Sequence, residues 1–429
     1  MSSLIYPRFF HVYLGLLSAV FCISQKLTVL LIIGLVPLIV SGYVKKEVEF
    51  KLYKTNLFLM ALYLMYLLGI IFTQHPKLAW GYAENKMSFF LLPLLFSFQP
   101  KFELRLAPVL LGLALGIVIS SAIGIFTSIA CYQEGGAILS CFTSVTISPI
   151  HHPSYFATFT ILALAGVWWL YFKKEAGFLL KWIVPFSLFA GLMVLLCLSL
   201  SALLFFVLLI GFLILRWIYF HWSNYVFFAI LVLSPILLVL LFSKTPVLKE
   251  DYAYTKKSLA VYLKSPNEFV RNKTDYKTGN EVRLIMWTIT VQEIMEHPFG
   301  VGTGNVDDHL SERLSLFGQK TMALKDDKQT IQWNPHNQFL QTTLETGILG
   351  GILLLCYFLS AFRLAYKNKN VFFMILVLSF CFNALFESML QRQSGIVFYA
   401  FWISFSFILL HQSESNKMKD DSNDTPILE

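Results

Sequence analysis

Two residues in the hydrophilic stretch 244–345 have side chains suited to chemistry on an anionic substrate. His336 follows Asn334 and Pro335, which favour a helix cap and a first helical turn, so we expect it at a helix N-terminus. The partial positive charge there disfavours imidazolium, and a neutral imidazole is the form that acts as a general base. Arg283 has a permanent charge that can hold phosphate oxygens through two parallel hydrogen bonds. The structural alternatives are an interfacial polar residue for His336 and a salt bridge of Arg283 with Glu281 or a loop carboxylate.

The elements that must position these two residues are short. Apolar residues at 284, 287, 291 and 294 form a stripe at helical spacing, so an amphipathic helix is predicted over 281–296. The sequence His-Pro-Phe-Gly at 297–300 ends that helix, because Pro and Gly both break helices. The stretches 245–280 and 301–332 are polar and are predicted to be loops. A second helix is predicted to begin at Asn334 and to continue into the membrane.

The composition of the whole chain excludes a soluble protein. Of its 429 residues 57 % are hydrophobic and only 14 % are charged, whereas soluble domains contain about 25 % charged residues. The apolar runs are continuous rather than alternating, which argues against a β-barrel. The fold class is therefore an all-α polytopic membrane protein, since a helix pairs its backbone groups internally in lipid.

Twelve apolar runs are long enough, or nearly so, to be read as membrane spans of about 20 residues. They lie at about 9–25, 27–43, 55–73, 87–98, 106–130, 154–172, 180–198, 202–220, 225–243, 347–366, 370–388 and 393–411. The predicted organisation is four parts: 1–243 with spans one to nine, an outer loop domain at 244–345, 346–411 with spans ten to twelve, and a disordered cytoplasmic tail at 412–429.

The net charge of +8 is a topology signal rather than a nucleic-acid surface. The stretch 244–345 contains 13 basic and 13 acidic residues and is neutral. The terminal segments and the short loops on one side of the predicted membrane contain 16 basic residues, and the short loops on the other side contain 4. The positive-inside rule places that basic side and both termini in the cytoplasm. The stretch 244–345 is then predicted to lie outside, as a periplasmic or extracellular domain.

Further polar residues lie at the predicted outer ends of spans. His151 and His152 begin the sixth span, where they contact substrate or cap a helix, and Lys86 begins the fourth, where it contacts an anion or snorkels. Glu387 and Arg392 lie at the outer turn between the last two spans, close enough to pair. Together the basic groups predict a cationic rim for an anionic headgroup.

Cysteine and histidine spacing offers no metal or cofactor signature. Cys131 and Cys141 flank an outer loop, and they either form a disulfide in an oxidising compartment or remain free thiols. The spacing of His297 and His309 does not indicate a metal site. Neither a phosphate-binding loop nor a dinucleotide motif is found. We therefore predict no metal and no cofactor.

The run from Asn334 to Gly350, NPHNQFLQTTLETGILG, resembles the signature of the O-antigen ligase and polymerase superfamily. That signature has H-N-x-x-L, followed by Glu and by G-x-x-G entering a membrane helix. Upstream, Arg283-x-x-x-Trp287 and the run HPFGVG from His297 are similar to a second motif of the family. A twelve-span layout with one large outer loop after the ninth span is similar as well.

The resemblance implies a metal-independent, inverting glycosyltransferase of the GT-C type in the bacterial inner membrane. It implies transfer of a glycan from undecaprenyl diphosphate to a hydroxyl of the lipid A–core oligosaccharide at the periplasmic face. His336 would activate the acceptor hydroxyl, and Arg283 would stabilise the departing diphosphate. The expected partners are this donor, this acceptor and the bilayer, with no nucleic acid. The residues expected to bind substrate are Asn337, Lys86, His152, Arg392 and Glu345.

One position departs from the family pattern. Ligases of the family have an Arg after a Ser at the outer turn between the seventh and eighth spans, whereas Leu200 follows Ser199 here. Lys86 and Arg392 are the candidates to replace it. The alternatives in the same superfamily are an O-antigen polymerase and a protein O-oligosaccharyltransferase, which differ in the acceptor. A transporter or flippase is the alternative of another class, and it predicts charged residues deep within the spans.

Overall fold

The first half of the chain consists of helices and one small sheet. The structure, a computed structural model, describes residues 5–175, 177–221, 246–272, 279–319 and 333–423. Strands β1 (Val48–Phe50) and β2 (Phe98–Pro100) pair antiparallel. The helices up to residue 221 are α1 (Ile5–Ile23), α2 (Gln25–Val44), α3 (Lys54–Gly69), α4 (Pro76–Lys86), α5 (Ser88–Leu95), α6 (Ala107–Gln133), α7 (Ile138–Cys141), α8 (Ser144–Ile147), α9 (Pro153–Phe172), α10 (Ile183–Leu196) and α11 (Leu200–His221).

The second half contains the segments with Arg283 and His336. Its helices are α12 (Pro246–Lys264), α13 (Pro266–Asn272), α14 (Gly279–Glu296), α15 (Val306–Leu316), α16 (Gln338–Lys367), α17 (Val371–Ala384) and α18 (Gln393–Asn423). Helix α14 confirms the predicted helix over 281–296. The other two predictions for this part were wrong, because α12 and α13 occupy the expected loop 245–280 and α15 lies within the expected loop 301–332.

The chain is an all-α polytopic membrane protein. Among the described residues, seven helices are long and apolar enough to cross a membrane, namely α1, α2, α3 with its following turn, α6, α9, α16 and the part of α18 up to Ser415. Three shorter apolar helical segments match predicted spans as well, namely α10, the part of α11 up to Leu215, and α17. The predicted ninth span at 225–243 lies outside the described residues, so the total of twelve stays a prediction.

Two predictions about individual segments differ from the structure. The fourth predicted span, 87–98, contains only the eight-residue helix α5, which at 1.5 Å per residue is about 12 Å long and cannot cross the hydrocarbon core alone. The polar tail was expected to be disordered from residue 412, but α18 continues to Asn423. Of the two outcomes left open for Cys131 and Cys141, the structure has the disulfide.

Close helix packing in the first half depends on small residues. A Cβ on Gly112 of α6 would come within 1.9 Å of the carbonyl oxygen of Gly15 on α1, and one on Gly116 within 2.3 Å of the carbonyl oxygen of Ala19. Small residues one helical turn apart allow two backbones to approach closely, which is how helices associate where lipid removes the hydrophobic driving force. This contact belongs to the main core, which joins the membrane helices.

A second, smaller core lies under the segments between α12 and α16. Its buried members come from α13, α14, the loop that follows α14, α15 and the start of α16: Phe269, Val270, Ile285, Met286, Ile289, Val301, Val306, Leu310, Leu314 and Leu344. The face of α14 that enters this core contains Ile285 and Ile289. Trp287 and Val291, from the predicted apolar stripe, line an open groove instead. Helix α14 therefore has two apolar faces with different neighbours.

The HPFGVG run positions α16. Gly347 has a non-helical backbone (φ 79°, ψ 175°) that breaks α16 into two parts. The loop crosses the break, where the amides of Val301 and Gly302 donate to the carbonyls of Leu344 and Glu345 at 2.9 and 3.2 Å. A Cβ on Gly300 would come within 2.5 Å of the amide nitrogen of Gly347, so only glycine allows this approach. The motif therefore fixes the direction of the α16 segment that begins at the candidate site.

Candidate active site

His336 lies just before α16 in a strained backbone conformation. The prediction that Asn334 caps this helix was wrong, because α16 begins at Gln338 and its cap is Asn337. The side chain of Asn337 accepts from the amide of Leu340 at 3.1 Å. His336 has φ +47°, a left-handed conformation that costs a non-glycine residue of order 1–2 kcal/mol. Asn334 supports it by accepting from the His336 amide at 2.9 Å. His336 is one residue before the cap of the helix, and its side chain is about one-third exposed.

Glu387 joins the two residues that the sequence singled out. Its Oε2 lies 3.4 Å from Nδ1 of His336, and its Oε1 accepts from Nη2 of Arg283 at 3.3 Å. The predicted alternative partner of Arg283, Glu281, instead accepts from the hydroxyl of Ser258 at 2.6 Å. Three side chains from positions 283, 336 and 387 therefore form one chain of contacts, arginine to carboxylate to imidazole.

The electrostatics of Glu387 favour its charged form. Burial alone raises the pKa of a carboxyl group, but the contact with His336 and the positive charge of Arg283 more than offset burial here, so the pKa of Glu387 is lowered. The charged carboxylate then accepts from Nδ1 of the imidazole, which leaves Nε2 as the nitrogen with a free lone pair. Among the described residues, only Nδ1 of the His336 ring has a hydrogen-bond partner. This is the arrangement of a general base oriented by a carboxylate.

The turn between α17 and α18 is the structural centre of the site. Arg283 donates from Nε to the carbonyl of Phe386 at 3.1 Å, in addition to its contact with Glu387. Asn337 donates to the carbonyl of Leu385 at 3.2 Å, which makes it a bridge between the cap of α16 and this turn. The hydroxyl of Ser388 donates to Asn334 at 3.0 Å. The turn therefore fixes the relative positions of α14, α16 and α17.

The structure separates the two adjacent histidines at the start of α9. His151 is buried, its Nδ1 lies 2.8 Å from the hydroxyl of Ser394, and burial lowers its pKa to about 4. His152 precedes α9 without capping it through its side chain. Burial lowers the pKa of His152 as well, Glu387 opposes this, and the charges of Arg392 and His336 add to the lowering. His152 therefore lies near Glu387, Arg392 and His336.

Lys86 and Glu345 form a separate enclosed pair. Their charged atoms are 3.7 Å apart and both side chains are almost fully buried. The ammonium lies 4.6 Å from the ring centre of Tyr66 and 5.1 Å from that of Tyr82, which provides cation–π stabilisation. Burial lowers the pKa of Lys86, and Glu345 opposes that shift. Gln391 donates to Glu345 at 3.2 Å, so this pair also contacts the turn between α17 and α18.

An apolar groove of about 860 Å³ begins beside the site. It opens next to Asn337 and follows α16 as far as Leu355, within the membrane-spanning part of the helix. Trp287 and Met295 of α14 lie on its other wall. The groove therefore connects the polar site to a region at membrane depth.

These observations define a polytopic membrane protein with a polar site of arginine, carboxylate and histidine at one end of an apolar groove. Residues 185–355 match the family model described as O-antigen ligase. The match confirms the resemblance found in the sequence and places this part of the chain in the O-antigen ligase superfamily. The match supports a membrane glycosyltransferase of the O-antigen ligase and polymerase type. No curated protein matches the chain, and nothing in the comparisons supports a transporter.

Glu387 is the site residue that the sequence did not assign. It was expected to pair with Arg392, five positions further along, whereas its partners in the structure are Arg283 and His336. The available signal was an acidic residue at the outer turn of the last two spans, on the side predicted for the site. Sequence distance hid the contact, because its two partners lie 104 and 51 positions away.

Proposed function

We propose that this protein transfers a glycan from undecaprenyl diphosphate to a hydroxyl of the lipid A–core oligosaccharide at the periplasmic face of the inner membrane. The observation that carries the proposal is the contact chain from Arg283 through Glu387 to His336 at the mouth of the groove. A general base and a permanent cation in one site are what glycosyl transfer from a diphosphate requires. The proposed orientation has both termini in the cytoplasm and residues 244–345 outside as one domain.

His336 is proposed as the base for the acceptor. Nε2 takes the proton of the acceptor hydroxyl while the acceptor oxygen forms a bond to the anomeric carbon. The bond between that carbon and the diphosphate oxygen breaks, and the leaving group keeps the electron pair. Attack opposite to the leaving group inverts the anomeric centre. Glu387 keeps the proton on Nδ1 and stabilises the imidazolium that forms.

Arg283 and Arg392 are proposed as the cations for the diphosphate. Nε and Nη2 of Arg283 bind the turn between α17 and α18. The rest of the guanidinium is therefore already oriented before the reaction and costs no reorganisation during it. Leu200 stands where family ligases have an arginine. Of the two replacements predicted, Lys86 is enclosed with Glu345, whereas Arg392 is exposed near His152. Arg392 is therefore the proposed substitute, and His152 and Asn337 complete the substrate contacts.

The groove is proposed as the seat of the polyprenyl chain. It starts at Asn337, next to His336, and follows both parts of α16 as far as Leu355. Its walls contribute apolar side chains from α14 and α16, which suit an isoprenoid tail with its headgroup at the polar end. This arrangement presents the diphosphate to Arg283 while the tail stays in an apolar environment.

The test is transfer by variants that still reach the membrane. His336→Ala is expected to abolish transfer of lipid-linked glycan in a deletion strain, and Arg283→Ala to reduce it severely. Wild-type transfer by His336→Ala at equal membrane abundance would refute the catalytic role. A near-normal rate for Arg283→Ala would refute the diphosphate contact.

Lipopolysaccharide analysis of the deletion strain identifies the acceptor. Loss of all polymer from lipid A–core with accumulation of lipid-linked polymer supports the ligase. A core with a single repeat indicates the polymerase instead. Intact lipopolysaccharide together with unglycosylated proteins indicates the protein O-oligosaccharyltransferase.

A further inference from the structure

Three potential metal ligands meet where α14 ends and α15 passes. Glu293 is one helical turn before the end of α14, His297 follows that end, and His309 lies in the first turn of α15. Nδ1 of His309 is 3.1 Å and Nε2 of His297 is 3.7 Å from the same oxygen, Oε2 of Glu293. The ligating atoms of all three lie within 4.8 Å of one another.

We propose that Glu293, His297 and His309 form a binding site for a divalent transition metal such as Zn²⁺, which ties the end of α14 to α15. Two imidazoles and one carboxylate are a known zinc ligand set, completed by water in the fourth position. Imidazole ligands also favour transition metals over Mg²⁺ and Ca²⁺, which prefer oxygen. This proposal is independent of the transfer reaction, because Glu293 lies ten residues from Arg283, about 15 Å along the helix.

The geometry needs only a small adjustment to accept the ion. Tetrahedral zinc with ligand bonds of about 2.1 Å separates its ligand atoms by roughly 3.4 Å. The distances from Glu293 to the two histidines bracket this value. The side chain of His297 is 42 % exposed, so it can rotate toward the ion without displacing core residues.

Arg313 orients the carboxylate of Glu293 and leaves one of its oxygens available to an ion. Its Nε donates to Oε1 of Glu293 at 2.5 Å, and its other nitrogens pair with Glu296. Oε2, on the side of the histidines, is left for the ion. A hydrogen bond to the free oxygen of a ligating carboxylate fixes its orientation, as outer partners of metal ligands commonly do.

The ion would stabilise the HPFGVG loop. That loop starts at His297 and donates two backbone hydrogen bonds across the break of α16 at Gly347. A metal held by His297 and by the neighbouring helix α15 therefore fixes one end of the loop. The expected consequence is greater resistance to unfolding.

The experiment uses the full-length chain purified in detergent with a tag that contains no histidine, and Zn²⁺ alone as the probe. After treatment with a chelator, the wild type should bind one Zn²⁺ per chain in a titration, and its melting temperature should rise with Zn²⁺. His309→Gln and His297→Gln should each weaken binding at least tenfold and abolish that rise. His75→Gln is the matched control, because His75 pairs with Asp308 at 2.6 Å and belongs to no three-ligand group among the described residues. The His75→Gln variant should bind Zn²⁺ as the wild type does.

Two results would overturn the proposal: a wild type without saturable one-to-one binding, or equal binding by the wild type and His309→Gln. If the variants fail to fold, X-ray absorption of the zinc-loaded wild type decides. Two imidazole nitrogens in the coordination shell support the site, and a shell of oxygen alone rejects it.

Discussion

Replacing Glu387 by Gln tests whether the carboxylate positions the catalytic groups. The substitution keeps the size of the side chain and removes its charge. The amide cannot stabilise an imidazolium at His336, and it offers Arg283 only a neutral acceptor. Arg283 keeps its bond to the carbonyl of Phe386, so the fold of the turn should survive.

The magnitude follows from the two contacts that weaken. Hydrogen bonds to charged groups contribute about 1.5–3 kcal/mol each, and the distances of 3.3 and 3.4 Å in the site place both at the lower end. Two losses of about 1.5 kcal/mol amount to about 3 kcal/mol, which is roughly a hundredfold in rate. The loss should appear in kcat rather than in KM for the acceptor, because Glu387 acts on the base and not on the bound sugar.

The assay is transfer of a labelled lipid-linked glycan by purified protein at saturating donor. Glu387→Asp should recover about tenfold of the loss, since it restores the charge at a longer distance. Glu414→Gln is the matched control, because Glu414 also pairs with one cation, Lys367 at 2.9 Å, and with Nδ1 of one histidine, His411 at 3.4 Å. It lies about 30 Å further along α18 from the site, so transfer should be unaffected.

The reasoning would be refuted by Glu387→Gln with kcat within threefold of the wild type. It would equally be refuted if Glu414→Gln lost as much activity as Glu387→Gln, since the loss would then reflect general stability. A kcat lowered about a hundredfold in a variant that stays folded at the assay temperature is the combination that identifies a positioning role.

Three further predictions concern stability and covalent state. Because the pKa of Glu387 is lowered, its charge stabilises the fold above about pH 4.3, the unfolded value for Glu, and this contribution is lost as the pH falls through the folded pKa. The difference in melting temperature between the wild type and Glu387→Gln should therefore vanish over that range. A difference that persists at lower pH contradicts the prediction. Gly347→Ala should lower the free energy of unfolding by at least about 2 kcal/mol, because φ is +79° and the loop leaves no room for a Cβ. Gly81→Ala is the control: no atom lies within 4 Å of the new Cβ, so this variant should melt no lower than the wild type. Alkylation of the denatured, unreduced protein should label four of the six cysteines, since Cys131 and Cys141 are paired; labelling of all six would disprove the disulfide.

Elements with strong periodicity could be predicted, and those held by tertiary contacts could not. The apolar runs gave the long spans and the pattern near residue 290 gave α14. Helix α13 lies in a polar stretch and depends on Phe269 and Val270, which enter the second core. Helix α15 had a readable signal, since Val306, Leu310 and Leu314 recur every four residues and are all buried. The polar residues between them favoured a loop.

The position of the cap shows how local rules fail near a site. Asn334 and Asn337 are both good caps, and Pro335 favoured the earlier start. The structure uses Asn337, because His336 adopts a left-handed conformation that no helix could include. Asn334 is used instead to hold that conformation, through the His336 amide and Ser388. The strain marks the residue whose side chain must point away from the helix axis.

The proposed metal ligands and Glu387 were missed in the sequence for the same reason. The chemistry of each depends on partners far apart in sequence: Glu293 and His309 are 16 positions apart, and Glu387 and Arg283 are 104 apart. Spacing rules detect ligands on one helix or in one turn, so the pair Glu293 and His297 was visible only as a helix end. What brings His309 to that end is the packing of Leu310 and Leu314 in the second core. The apolar residues of α15 therefore determine the position of its polar ones, and a substitution such as Leu310→Ala should weaken Zn²⁺ binding without touching a ligand.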